Sequence, residues 1–409
     1  MTHLPTEPGP GTGQRTRLGP VLLIILGVLA GMGPLSTDLV LPSFTAIAAD
    51  LEADPALVQL THTGFLVGIA IGPLLVGPIA DRIGRRPVLL CLLALYTVAA
   101  IAMAIAGSVV LLLALRVAQG LGAAAGVVLS RAIAADLTTG VRAVRAVSMI
   151  SIAVGISALV APTIGGALQT QFGWRAVFVA LAVLGALLFL VVLAVVPETH
   201  PAAERSRGVG PLSALHGMSS LLRRGDVRGY VVAIGAGYAA MAAFLVASPF
   251  VGQRLLHLNP LTYGILLTSA ATGVALASVV NTLLAGRFTA GTLLIAGQVL
   301  TVVAASTLLV FAASGALGVA VFFACAFLLF AGTGLTMANT TALTLAVAGR
   351  SRGSASALCS AGQYAFGALA PVIVGAAGTS SALPMALAVA SFAALGVVAV
   401  ALARLGARA

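Results

Sequence analysis

Lysine is absent from this chain of 409 residues, and charge of any kind is scarce, with only 8% of residues Asp, Glu, Lys or Arg. A soluble domain carries about 25% charged residues, so a water-soluble globule is excluded. Without lysine no P-loop can reach a nucleotide's phosphates, and no Schiff-base cofactor can be held. Any energy for work must come from an ion gradient or from a solute's own gradient. Cysteine is equally sparse. Cys91, Cys325 and Cys359 lie far apart inside apolar runs; they offer no disulfide framework and read as small apolar packing residues. No metal-ligand cluster and no nucleophile–base pair is visible, so no cofactor, no metal and no enzymatic chemistry is expected.

What is present is hydrophobic: 60% of the chain, with a mean hydropathy of +1.14. A helix needs roughly 20 apolar residues to cross a bilayer. The apolar runs divide into twelve spans, predicted at about 19–46, 56–80, 87–107, 109–137, 144–168, 174–196, 228–252, 261–286, 291–313, 317–347, 353–377 and 382–404. The fold class is an all-α membrane protein of twelve transmembrane helices in two six-helix bundles. The 47 glycines fit helices whose backbones approach closely, because small residues replace the missing hydrophobic drive in lipid. Residues 1–18 read as a disordered cytoplasmic tail, 19–198 as the first bundle, 199–227 as a cytoplasmic linker and 228–409 as the second bundle with a short cytoplasmic tail. The run Leu18 to Val40 is too long for a signal peptide and carries Asp38 where a small-residue cleavage site would fall. It is expected to stay as span 1.

The net charge of +11 comes from 21 basic residues, all arginine, against 10 acids. On the predicted spans, Arg175 and Arg254 fall outside, Arg116 within the membrane, and the rest at inner ends. The first outer loop holds Asp50, Glu52 and Asp54. The positive-inside rule then puts both termini in the cytoplasm. The charge is a topology signal rather than a nucleic-acid surface, and the expected partner surface is the lipid bilayer.

Between spans 2 and 3 lies Gly77-Pro78-Ile79-Ala80-Asp81-Arg82-Ile83-Gly84-Arg85-Arg86-Pro87. Such a cluster cannot sit in hydrocarbon, so it is a tight turn at the cytoplasmic face. Asp81 and Arg85 are four apart and can pair on one helical turn. Asp136, at the inner end of span 4, can bond the same arginine, and Gly77 and Gly84 permit close packing and a sharp turn. The cluster reads as a conformation-dependent latch; a bare topology signal is the simpler reading. The halves repeat weakly: Pro42 with Pro249, Arg82 with Arg287, Arg142 with Arg350. A parallel repeat predicts a substrate site between two bundles near mid-membrane. Gly286-Arg287 keeps part of the loop, but the second half lacks its aspartate and arginine cluster.

Asp38 is the one acid well inside a predicted span, between Pro34 and Pro42 with Ser36 and Thr37 beside it. A carboxylate in hydrocarbon costs about 2.5 to 3.5 kcal/mol on insertion scales. It is therefore expected to face a watery cavity and to bind and release a proton, unless it is a fixed structural ion pair. Arg116 lies about eight residues into span 4, roughly 12 Å deep, a depth comparable to Asp38. A direct or water-bridged Asp38–Arg116 interaction is allowed; bonding to helix-end carbonyls is the alternative. Gln119 shares its face. Ala161-Pro162-x-x-Gly165-Gly166 in span 5 joins a helix bend to glycines that admit a partner helix. Tyr238, Asn281, Asn339 and Gln363 either line the cavity or bridge helices. His62, near the outer end of span 2, reads either as a group that protonates in the working pH range or as a hydrated interface residue, and Trp174 with Arg175 as an interfacial anchor.

Taken together these segments resemble the drug:proton antiporter branch of the major facilitator superfamily, and within it the bicyclomycin/chloramphenicol resistance (Bcr/CflA) subfamily. The matching residues are Ser36 to Pro42, Gly77 to Pro87, Leu115 to Gly120, Ala161 to Gly166, Gly173-Trp174-Arg175 with Phe178, Ser248-Pro249-Phe250, and Gly353 to Ala357 with Gln363. The resemblance implies proton coupling through Asp38 and Arg116. It also implies that Asp81, Arg82, Arg85 and Arg86 stabilise an outward-open state, and that the span 5 motif bears on antiport direction. Two departures stand out: Ala161-Pro162 replaces the usual Gly-Pro, and Pro73 sits where relatives often have glutamine. The resemblance implies a monomeric, proton-coupled exporter of small molecules, with an amphenicol-type antibiotic as the leading substrate. A sugar or metabolite exporter of the same fold, or a non-transporting membrane sensor or scaffold, are the rival readings.

Overall fold

The computed structural model describes residues 18–200, 218–348, 352–378 and 381–406. Nearly all of the expected N-terminal tail and residues 201–217 of the expected linker lie outside them. Among the described residues twelve helices are long and apolar enough to cross a membrane. The first half holds α1 (Pro20–Asp38), α2 (Pro55–Ile83), α3 (Arg85–Ala104), α4 (Val109–Leu137), α5 (Gly140–Phe172) and α6 (Trp174–Val195). The second holds α7 (Gly225–Phe250), α8 (Pro260–Leu284), α9 (Ala290–Ala313), α10 (Val319–Val347), α11 (Arg352–Ala377) and α12 (Leu383–Gly406).

Local chemistry sets the helix ends. Proline stands in the first turn of α1, α2 and α8, where its missing N–H costs nothing. Side chains of Asp54, Ser108, Asn259 and Thr289 accept the first free amides of α2, α4, α8 and α9. Gly84, at φ 112°, makes the abrupt turn from α2 into α3 that any side chain would strain. Two helices end irregularly at equivalent places in the repeat. Beyond α1 comes a 3-10 turn, Leu41–Ser43, then a short helix, Phe44–Asp50; beyond α7 comes a π-helical turn, Val251–Leu255.

Packing also repeats between the halves. α2 lies on α4 as α8 lies on α10, α1 on α5 as α7 on α11, and α3 on α6 as α9 on α12. The α2–α4 seam is built on Gly64, Gly68 and Gly72, one helical turn apart. A methyl group at Gly68 would lie 2.3 Å from the Val117 carbonyl oxygen, and one at Gly120 2.2 Å from that of Phe65. Hydrophobic burial gives lipid-embedded helices little mutual drive, so this backbone proximity supplies dispersion contact instead.

The halves meet through α5 on α8 and α2 on α11. Their hydrogen bonds and close approaches lie at the end of the molecule opposite the Gly77–Pro87 loop. Thr163 donates to Thr268 Oγ1 at 2.8 Å, Thr63 to the Ala368 carbonyl at 3.1 Å, and Thr45 to Gln253 Oε1 at 2.6 Å. Gln253 returns a bond to the Pro42 carbonyl at 2.9 Å. Among the described residues no hydrogen bond or ion pair joins the halves at the loop end. Among the described residues the bonds between the halves are thus confined to the far end.

Candidate functional site

The polar centre begins at the end of α1. Pro34 lies within that helix and cannot donate to the preceding turn. Nearby hydroxyls take up local carbonyls: Ser36 Oγ donates to Met32 O at 2.6 Å and Thr37 Oγ1 to Pro34 O at 2.8 Å. Ser36 has one hydroxyl proton, so the 2.6 Å contact between its oxygen and Tyr96 is a bond donated by the tyrosine. Asp38 is the last residue of α1, half-buried, and followed by the 3-10 turn.

Arg116 of α4 is wholly buried. Nη1 donates to the Ser36 carbonyl at 3.0 Å and to Gln119 Oε1 at 2.8 Å, and the guanidinium lies 4.5 Å from the centre of the Phe65 ring. Its Nε and Nη2 have no partner, and neither does Gln119 Nε2. Among the described residues no carboxylate comes within 4.0 Å of Arg116. Asp38 is its electrostatic neighbour at longer range, and Asp38 in turn acts on Tyr238 of α7 and Tyr263 of α8. The carboxyl therefore stands between the two halves, with the arginine held behind it by α1, α2 and α4. Of the two arrangements open to Arg116 in sequence, carbonyl bonding is the direct contact and Asp38 the through-space one.

Polar residues of the second half divide. Asn339 donates to Asn281 Oδ1 at 2.6 Å and to Leu335 O, so this pair bridges α8 and α10. Tyr238 is half-buried and meets Tyr364 edge-on at 6.1 Å, and Gln363 is half-buried on the same helix as Tyr364. Ser248 and Tyr263 repeat the Ser36–Tyr96 contact at 2.7 Å.

At the loop, Arg85 reaches Asp81 at 2.5 Å and Asp136 at 3.4 Å. Asp81 and Arg85 do not share a helical turn as expected, because α2 ends at Ile83 and the pair closes across the Gly84 bend. Glu198, just past α6, accepts the backbone amides of Arg85 and Arg86 at 2.9 and 3.3 Å, capping α3. Nothing in the sequence singles it out beyond its being one of few acids at that face. Arg86 also donates to the Leu193 carbonyl, while Arg82 is exposed. Every one of these bonds stays inside the first half. A methyl group at Gly77 would meet nothing within 4 Å, so close packing at that glycine is not made in this conformation.

In α5, Ala161 and Pro162 are buried. A methyl at Gly165 would lie 2.0 Å from the Leu39 carbonyl oxygen and one at Gly166 2.4 Å from that of Pro260. The motif thus touches α1 on one side and the other half on the next. Two outer residues differ from expectation. His62 is 2% exposed with Nδ1 unpartnered, and Gln59, one turn earlier, is fully buried with both amide atoms unpartnered beside Gly375 of α11. Both lie in protein rather than at a wet interface. Trp174 is 4% exposed and donates to Asp50 at 3.1 Å, while Arg175 lies over its ring and pairs with the same carboxylate at 2.6 Å. This couple ties α6 to the end of the first span instead of to lipid.

Two six-helix bundles related by repeat, with a polar centre between them, define a multi-pass membrane protein. Residues 23–259 match the family model described as Major Facilitator Superfamily, and the chain belongs to that family, whose members are transporters rather than enzymes. It is 37% identical over 270 residues to an uncharacterized MFS-type transporter, YdgK, of Bacillus subtilis, covering 65% of this chain and 66% of that protein. It is 34% identical over 234 residues to a bicyclomycin resistance protein homolog of Haemophilus influenzae, covering 56% and 58%. It is 31% identical over 246 residues to multidrug resistance protein D of Escherichia coli, covering 60% and 61%. The chain thus matches 58% to 66% of the length of these relatives. Among solved structures it is similar to the nucleoside transporter NupG (TM-score 0.77, 14% identity, covering 94% of this chain and 99% of that one). It is also similar to a partially occluded inward-open form of the xylose transporter XylE (TM-score 0.70, 17% identity, 93% and 97%). At these identities the likeness is one of fold.

Proposed function

We propose that this chain is a proton-coupled exporter of small drugs, working by alternating access in the bacterial plasma membrane with both termini in the cytoplasm. The observation that carries the reading is the half-buried carboxyl of Asp38 at a helix break between the halves, with Arg116 caged behind it and lacking a carboxylate of its own. In the form open toward the loop, substrate enters from the cytoplasm while Asp38 is charged or paired with Arg116. Rocking of the halves opens the far end, substrate leaves outward as a proton from outside binds Asp38, and the protein rocks back and releases that proton to the cytoplasm. One proton moving down 100 mV supplies about 2.3 kcal/mol. The bonds of Asp81, Arg85 and Asp136 form the cytoplasmic latch, and the space beside Gly77 is where the second half arrives when the loop end closes. The names of the relatives, bicyclomycin and multidrug resistance, support drugs as cargo. With one acid and one arginine at the centre, a neutral or weakly polar compound suits the site better than a dication, and an amphenicol is the leading choice.

The test is a drug panel in an efflux-deficient host, with and without an uncoupler. Expected is chloramphenicol protection of about tenfold that the uncoupler abolishes and Asp38→Asn removes without loss of the protein from the membrane. Protection that survives both the uncoupler and Asp38→Asn would falsify proton coupling; no protection against any drug would sink the drug reading.

A further inference from the structure

The twelfth helix is flanked on its outer surface by two grooves that the transport cycle does not use. One, between α9 and α12, has a volume of about 450 Å³ and is walled by Ile295, Val299, Val302, Val397 and Val400, with Arg404 at its mouth. The other, between α7 and α12, has about 330 Å³, is walled by Val232, Leu395, Val398 and Leu402, and carries Arg228 at its mouth. Both arginines lie at the loop end, since α7 begins there and α12 finishes there. Gly229 brings α7 against α12 between them: a methyl there would lie 2.6 Å from Ala403 Cβ. Both side chains are exposed, and among the described residues neither pairs with a carboxylate. Arg404 donates once, to the Gly291 carbonyl at 2.8 Å.

A second feature lies within the larger groove. Gln298 is 5% exposed, its Oε1 has no partner, and its Nε2 reaches Thr336 Oγ1 only at 3.4 Å. Gly396 on α12 leaves room beside it, for a methyl there would stand 2.9 Å from that oxygen. A glutamine buried at the floor of an apolar groove with a free amide oxygen is costly. Turned about its last bond, the amide offers N–H into the groove while its oxygen accepts from the Thr336 hydroxyl.

We propose that α12 is the binding site of an anionic glycerophospholipid with two phosphates, of the cardiolipin class, straddling the helix. One phosphate sits on Arg228 and the other on Arg404, with acyl chains down both grooves and an ester carbonyl accepting from Gln298. Charge complementarity selects this occupant: two cations share one end of two apolar channels, and basic pockets between helices at that face suit such head groups. A zwitterionic lipid fills the grooves without using the arginine pair, and a second copy of the chain would bring its own arginines to the same face.

Full-length protein in phosphatidylcholine discs, with cardiolipin added or with phosphatidylglycerol at matched charge, gives the test. Expected is one cardiolipin retained through delipidation in native mass spectrometry, with a melting temperature raised by about 3 °C or more. Retention should fall about tenfold in the Arg228→Gln/Arg404→Gln variant and remain in Arg287→Gln, an arginine at the same face outside both grooves. Val397→Trp with Val398→Trp fills the channels while keeping both cations, and should also lose the lipid, which decides the matter if the arginine variant fails to insert. Equal retention in all variants, an equal gain from phosphatidylglycerol, or a dimer occupying the grooves would each overturn the site.

Discussion

The two ends of the interface between the halves are built differently. At the far end, backbone meets backbone: Gly166 and Gly264 let α5 and α8 approach until a methyl on either would sit within 2.4 Å of a carbonyl oxygen, and Thr45 and Gln253 lace the two irregular helix ends together. At the loop end the polar groups are plentiful but turned inward, with Arg85, Asp81, Asp136 and Glu198 satisfied inside one half. The lesson is that the far end is held by shape, whereas these loop-end charges are satisfied within one half and do not reach across. The seal also holds a flaw, for it buries Gln59 with both amide atoms unpartnered. An orphaned buried group costs roughly 1–3 kcal/mol, so closure of that end is opposed from within.

The sharpest way to break the contrast is Gly264→Leu. Overpacking costs typically about 1–3 kcal/mol, and each 1.4 kcal/mol is about tenfold in population. The sealed form should fall by one to two orders of magnitude, and spin labels at Val141 and Leu283, both exposed at the loop end, should move closer. Unchanged label distances would mean that shape does not hold the seal. Gln59→Leu should act the other way. By removing the flaw it stabilises the sealed form by about 1–3 kcal/mol, raising the melting temperature while slowing efflux, although Asp38 and Arg116 are intact. A drop in melting temperature would show that Gln59 is satisfied after all. Gln253→Leu removes two cross-half bonds and should weaken the seal by about 1 kcal/mol per bond at most, measured by the same label pair. Smallest in the resting state is Gly77→Ala. Its methyl meets nothing, so stability should stay within about 0.5 kcal/mol, with efflux slowed because the loop end must close over it. A resting-state shift from Gly77→Ala would erase the distinction between the two ends.

Much of the architecture is legible in the chain because lipid imposes a simple rule on span length. The predicted ends of α4 coincide with those observed, and the other ends stray by at most four residues once the first span is taken to Asp50. The glycines of α5 are legible as points of approach, but their partners are not, since nothing local says that Gly165 meets α1 and Gly166 meets α8. The same holds for Gly64, Gly68 and Gly72, whose four-residue spacing marks a packing face without naming α4. Polar outer residues are the least legible. His62 reads as hydrated and Trp174 as an interfacial anchor because polarity near a helix end usually meets water, yet the fold covers both. Asp50 reads as topology charge and instead holds Trp174 and Arg175. Burial at an interface between halves depends on residues hundreds of positions away, and a single sequence window carries no record of it.

Glu198 has an outcome for anyone who wishes to produce the protein as two co-expressed pieces. It lies only three residues past α6, yet it grips the first amides of α3, so a first fragment ending at Val195 would leave those amides bare and the turn at Gly84 unanchored. A fragment carried through His200 keeps the clasp, and with it the geometry that separates the neighbouring acids from the partner lobe.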